Sequence, residues 1–92
     1  MNYASAVNIL TKAGYRLTNK CQFNGEIYHD FNSKRVVSVS LVVDGSTGSV
    51  SRVEITRTKW NDKTSRYEPV KEIITGLQEL MDKFAPKQVI SL

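Results

Sequence analysis

His29 stands beside Asp30, the pair of residue types from which general acid–base chemistry is built. The stretch around them reads as a strand, where adjacent side chains point to opposite faces, so this His and this Asp cannot share a proton. A packed or half-exposed strand histidine follows. Cys21 is next to Lys20, a cation of the kind that lowers a thiol pKa, but with no second cysteine it reads as a small semi-buried apolar residue. Glu26, Asp30 and Glu54 can share one sheet face, yet Arg52 among them makes that face a solvated mixed-charge surface. The few His, Cys and carboxylate side chains lack zinc-ligand spacing, and no Asp-rich loop resembles a calcium site. The loop Asp44-Gly45-Ser46-Thr47-Gly48-Ser49 has the glycines of a phosphate cradle. Neither a helix nor a Gly-Lys-Ser/Thr signature follows it, so it reads as a hairpin turn. These residues predict no enzyme, no metal and no cofactor.

What remains is a surface. Tyr28, Arg52, Trp60, Lys63 and Arg66 combine the aromatic and basic types that anchor binding hot spots and that nucleic-acid readers use. Arg57 and Lys59 have inward parity, but they join the same region if the covering helix stops short of the strand end. For Trp60 a second reading, a cap on the core beneath a hairpin, carries equal weight. The charge is uneven: through residue 66, ten Lys and Arg stand against five Asp and Glu, within an overall net charge of +4. Such a balance favours an anionic partner, nucleic acid or an acidic protein surface, although solubility alone accounts for it equally well.

The element that must carry this surface is a hairpin. Residues 36–43 alternate β-branched and polar side chains, a Gly-rich turn closes them, and residues 50–58 answer with a second alternating run. Val37, Val39, Leu41, Val43, Val53 and Ile55 fall on one face. Ser38, Ser40, Arg52, Glu54, Thr56 and Thr58 fall on the other, as in an antiparallel sheet covered once. Ahead of it, Tyr3, Ala6, Val7, Leu10 and Ala13 recur at helical spacing over residues 2–13, with Gly14 as a left-handed cap. Residues 15–19 are a connection or the start of an edge strand. Asn24-Gly25 suggests a two-residue hairpin, but that turn would pair Phe23 with Glu26 and set Ile27 beside Gln22. A continuous strand over 21–31, bulged at Gly25, keeps Cys21, Phe23, Ile27 and Phe31 on one side.

After the hairpin, residues 60–64 read as a turn and 65–68 as a short edge strand. Pro69 then opens a second helix, with Val70, Ile73, Ile74, Leu77, Leu80, Met81 and Phe84 at helical spacing. Gly76 within it permits close packing, Glu79 and Lys83 pair on its outer side, and Ala85-Pro86 ends it. Residues 89–92 dock on the body or on another chain. The fold expected is a single α+β domain over 1–92: helix, three- or four-stranded antiparallel meander, helix, with both helices packed on one face.

No stretch approaches the roughly twenty apolar residues of a membrane span. The amino terminus has no basic segment leading into an apolar run, and the lone cysteine suits a reducing compartment, so a cytoplasmic monomer or weak dimer is expected. In size, basic character and helix–meander–helix organisation, with Tyr28, Arg52, Arg57, Lys59, Trp60, Lys63 and Arg66 as the contact face, the chain resembles the small phage-encoded anti-CRISPR inhibitors. The resemblance implies a non-enzymatic protein of the host-cell cytoplasm. Such a protein docks on a CRISPR ribonucleoprotein complex and blocks nucleic-acid binding or nuclease recruitment. The alternative is a direct DNA- or RNA-binding protein that uses the basic sheet face.

Overall fold

The computed structural model describes residues 1–33 and 37–84. Its first element, α1 (Tyr3–Lys12), begins where the Asn2 side chain accepts the Ser5 amide at 3.0 Å, an N-cap that satisfies one otherwise unpaired donor. It ends as the spacing predicts. The Gly14 amide donates to the Thr11 carbonyl at 3.0 Å and the Tyr15 amide to the Leu10 carbonyl at 2.9 Å, a Schellman closure with Gly14 at φ +92°.

Five antiparallel strands follow in the order β1-β2-β3-β4-β5. They are β1 (Arg16–Phe23), β2 (Glu26–Asn32), β3 (Val37–Asp44), β4 (Val50–Asn61) and β5 (Arg66–Ile74), and α2 (Leu77–Phe84) closes the described chain. The central hairpin has the expected alternation: Val39 pairs with Ile55 and Leu41 with Val53. These side chains, with Phe31 of β2 and Ile74 of β5, form one buried cluster with Ala6 and Leu10 of α1 and Leu80 of α2. Tyr15 and Phe84 meet edge to face at 5.3 Å within the same region. The chain is α+β, and among the described residues no helix is long and apolar enough to cross a membrane.

Three expectations are corrected. The continuous strand over 21–31 is instead a hairpin, with Asn24 at φ +50° and Gly25 at φ +77°, the positive pair that a two-residue turn of type I′ requires. The pairing rejected on parity, Phe23 with Glu26 and Gln22 with Ile27, is the one adopted. Parity has no force there because every residue of β1 is exposed, Phe23 and Leu17 included, so the strand has no apolar face to misplace.

The second correction concerns Pro69, which starts no helix. It lies within β5, opposite Thr58, on an edge strand where its missing N–H is tolerated. Val70, Ile73 and Ile74 are β-branched and suit a strand, and only Ile74 of the three is buried. The helix that does form is the short α2. Gly76 is not inside it but immediately ahead of it, its carbonyl accepting the Leu80 amide at 3.1 Å. Lys83 correspondingly pairs with Glu72 of β5 at 2.8 Å rather than with Glu79. With these two changes the sheet has five strands rather than three or four. The third correction is Cys21, which is exposed rather than semi-buried. The expected helix end at Ala85-Pro86 and the apolar residues 89–92 lie outside the described residues.

The β1–β2 turn is tied to the β3–β4 turn by the Gly45 amide, which donates to the Gly25 carbonyl at 2.9 Å. A Cβ on Gly45 would stand 2.6 Å from that same oxygen. Gly45→Ala is therefore expected to destabilise the chain by about 1 to 3 kcal/mol in urea unfolding, as an overpacked contact against backbone does. Ser46→Ala, one position on, should stay within about 1 kcal/mol as the loss of one exposed local hydrogen bond.

Candidate functional site

Strand register divides the sheet's side chains between two sides. Opposite the buried cluster lie Glu26, Tyr28 and Asp30 of β2, Ser40 and Val42 of β3, Arg52, Glu54 and Trp60 of β4, and Tyr67 and Lys71 of β5. At the centre of this side the Arg52 guanidinium is fully engaged. Nη1 donates to Glu26 at 2.8 Å, Nε to Glu54 at 2.9 Å and Nη2 to the Tyr28 hydroxyl at 3.0 Å. Lys71 reaches the other oxygen of Glu54 at 2.9 Å, and the Ser40 hydroxyl donates to Asp30 at 2.6 Å. The hydrogen bond from Lys71, ahead of that from Arg52, holds the Glu54 carboxyl below its ordinary range. Hydrogen bonds to Glu26 and then Glu54 raise Arg52 above its already high value.

The consequence is a self-satisfied network. Val42, the register neighbour of both Tyr28 and Arg52, stands on this same side and is fully buried. Positive charge does not dominate here: Arg52 and Lys71 face Glu26, Asp30 and Glu54.

The seven residues singled out from the sequence therefore fall into two groups. Tyr28 and Arg52 belong to the central network. Arg57, Lys59, Trp60, Lys63 and Arg66 belong to the distal part of the β4–β5 hairpin, and from Arg52 to Trp60 the strand runs roughly 26 Å at 3.3 Å per residue.

Among the described residues this distal hairpin reaches past β3 as an arm. Val37 is the last described residue of β3 to pair with β4, opposite Arg57, and beyond it Lys59, Trp60 and Asn61 pair with Glu68, Tyr67 and Arg66. Trp60 and Tyr67 are register partners on the open side and meet edge to face at 5.1 Å. With 48% and 68% of their surfaces exposed, they cap no core. The turn is tightly held: the Trp60 indole N–H donates to Asp62 at 2.9 Å, while Glu68 accepts from Asn61 at 2.9 Å and from the Thr64 hydroxyl at 3.0 Å. These bonds, Asn61 first, draw the Glu68 carboxyl below its ordinary value. On the opposite side of the arm stand Arg57, Lys59 and Arg66, with Lys63 at the turn.

Sequence reasoning placed Trp60 but gave no definite role to Tyr67, whose partnership needs the register of β5. It placed Glu26, Asp30, Glu54 and Arg52 on one mixed-charge face, and missed Lys71 because residues 69–84 were read as helix rather than as β5.

Of the groups with reactive potential, His29 is buried and its Nδ1 is hydrogen-bonded with the Tyr3 hydroxyl at 2.9 Å, the two rings packing edge to face at 4.9 Å. Asp30 points to the other side, as parity predicts. Among the described residues no cluster of His, Cys, Asp and Glu could hold a metal ion. Burial first, and then Lys20 across the β1–β2 ladder, depress the His29 pKa below 6.5, against an opposing pull from Asp30. Stability from the neutral imidazole is thus fully present above pH 6.5 and is lost as pH falls through the depressed value. The melting temperature should fall between pH 7 and pH 5, and His29→Gln should flatten that slope; an equal slope in the variant would assign the titration elsewhere. Comparison of the chain with protein-family models, curated proteins and solved structures finds no match.

Proposed function

We propose that the chain is a non-enzymatic binding protein that docks through the β4–β5 arm on a protein or ribonucleoprotein partner. With both helices packed on one face of the sheet, the other face and the arm are open to that partner. The observation that carries this reading is the exposed Trp60–Tyr67 pair on a braced arm. Two large aromatic rings packed edge to face, with the indole N–H held by Asp62, are anchors of the kind that dominates interface energetics. The resemblance drawn from the sequence supplies the class of partner: a CRISPR ribonucleoprotein complex, inhibited by occupation rather than by chemistry. The central network of the open face supports a rigid platform behind the arm, because its charges are already mutually paired and demand no partner of their own.

The test is binding of the purified chain to purified CRISPR surveillance complexes, measured by interferometry together with thermal melting. Trp60→Ala combined with Tyr67→Ala should weaken association about thirtyfold or more, the effect of losing a hot-spot pair. The melting temperature should move by no more than a few degrees. Undiminished association of the double variant would remove the arm from the interface, and turnover of a nucleic-acid or protein substrate by the chain would end the non-enzymatic reading.

A further inference from the structure

The arm is two-sided in its chemistry. Its aromatic pair occupies one side, and its cations occupy the other side and the turn. Its acids are held internally: Asp62 accepts the indole N–H, and Glu68 accepts Asn61 and Thr64, with Arg66 3.8 Å away. Glu72, where the arm joins the body, is held by Lys83 at 2.8 Å and lies 3.5 Å from Arg57. Among the described residues Lys59 and Lys63 form no ion pair, although two carboxylates lie within the same short hairpin. Glu68 and Glu72 share the side of Arg57, Lys59 and Arg66 but are taken up by the internal bonds, so with Lys63 at the turn four cations stand against two carboxylates and that side is positive on balance, opposite the aromatic pair.

We propose that this positive side lies against the phosphate backbone of a nucleic acid, contacted without regard to sequence. A single-strand reader that works by stacking brings aromatics and cations to the same side, so that bases and phosphates are met together. The arm separates them. Phosphate contact through Arg57, Lys59, Lys63 and Arg66, with the aromatic pair turned away, is what that separation permits. On a ribonucleoprotein the arm would then enter the seam between the nucleic acid and its protein. This deepens the docking reading and rests on it for the partner, but it can be tested apart from it.

The experiment is fluorescence anisotropy with a 20-base-pair DNA duplex of arbitrary sequence, the corresponding RNA duplex, and poly-glutamate as a polyanion without phosphate. If the four cations each meet a phosphate, log K on duplex DNA should fall against log salt with a slope near −3.6, about a hundredfold loss between 50 and 200 mM. Lys59→Gln with Lys63→Gln should roughly halve that slope, while Trp60→Ala with Tyr67→Ala should leave duplex affinity within about twofold. Tighter binding of the DNA or of the RNA duplex identifies which source of phosphate the arm meets. Absence of binding to both duplexes at 50 mM salt, equal binding of poly-glutamate, or an unchanged slope in the lysine double variant would overturn the inference. Loss of surveillance-complex binding in the aromatic variant alone, with no duplex bound, would leave the docking reading standing without it.

Discussion

The burial of one strip of the central hairpin governs the rest of the molecule. Val39, Leu41, Val53 and Ile55 are fully excluded from water together with Leu10 of α1 and Leu80 of α2. Each such side chain contributes roughly 1.5 to 3 kcal/mol of gross burial. Two short helices offer only enough apolar surface for this strip, because α1 contributes Ala6 and Leu10 and α2 contributes Leu80 to the fully buried set. Strands that reach past the strip must be stabilised by other means. β1 relies on its tight turn and ladder hydrogen bonds, and the distal β4–β5 hairpin on its ladder and on the side-chain hydrogen bonds of Asn61 and Glu68.

The open side solves a related problem. On the side of the sheet away from the buried cluster the guanidinium of Arg52 spans two carboxylates and a phenol beside the fully buried Val42. The network is half exposed, so its stabilising effect is modest, and its main result is order: it fixes the rotamers of four side chains across three strands. The arm, by contrast, presents groups whose internal bonds do not use up their binding capacity. A mutually paired network at the centre and exposed aromatic rings at the tip divide the surface into a support and a contact.

Legibility in the sequence followed burial. The central hairpin was readable because one face is buried, and only then does alternation record a structural fact. The first helix was readable from its three-and-four spacing and from Gly14. Residues 69–84 were misread because the apolar positions of a strand and of a following helix happen to fall in helical phase. Of that pattern Ile74 and Leu80 are buried, but Val70, Ile73 and Met81 are exposed, so it did not mark one continuous buried face; the density of β-branched residues before Gly76 was the better guide. In β1 the absence of any buried face left turn chemistry as the only signal, and Asn24-Gly25 outweighs parity when there is nothing for parity to protect. The contact face divided for the same reason: Tyr28 and Arg52 share parity with Trp60, but parity is silent on distance along a twelve-residue strand.

Every strand in this sheet hydrogen-bonds to its neighbour along the chain. Those partners are close in sequence, so each pairing closes only a small loop, and hairpins form in about 1 to 10 μs. The two helices come from opposite ends of the described chain, and their meeting closes its longest loop. The pairings of the sheet are thus local in sequence, whereas the contact between α1 and α2 joins the two ends of the described chain.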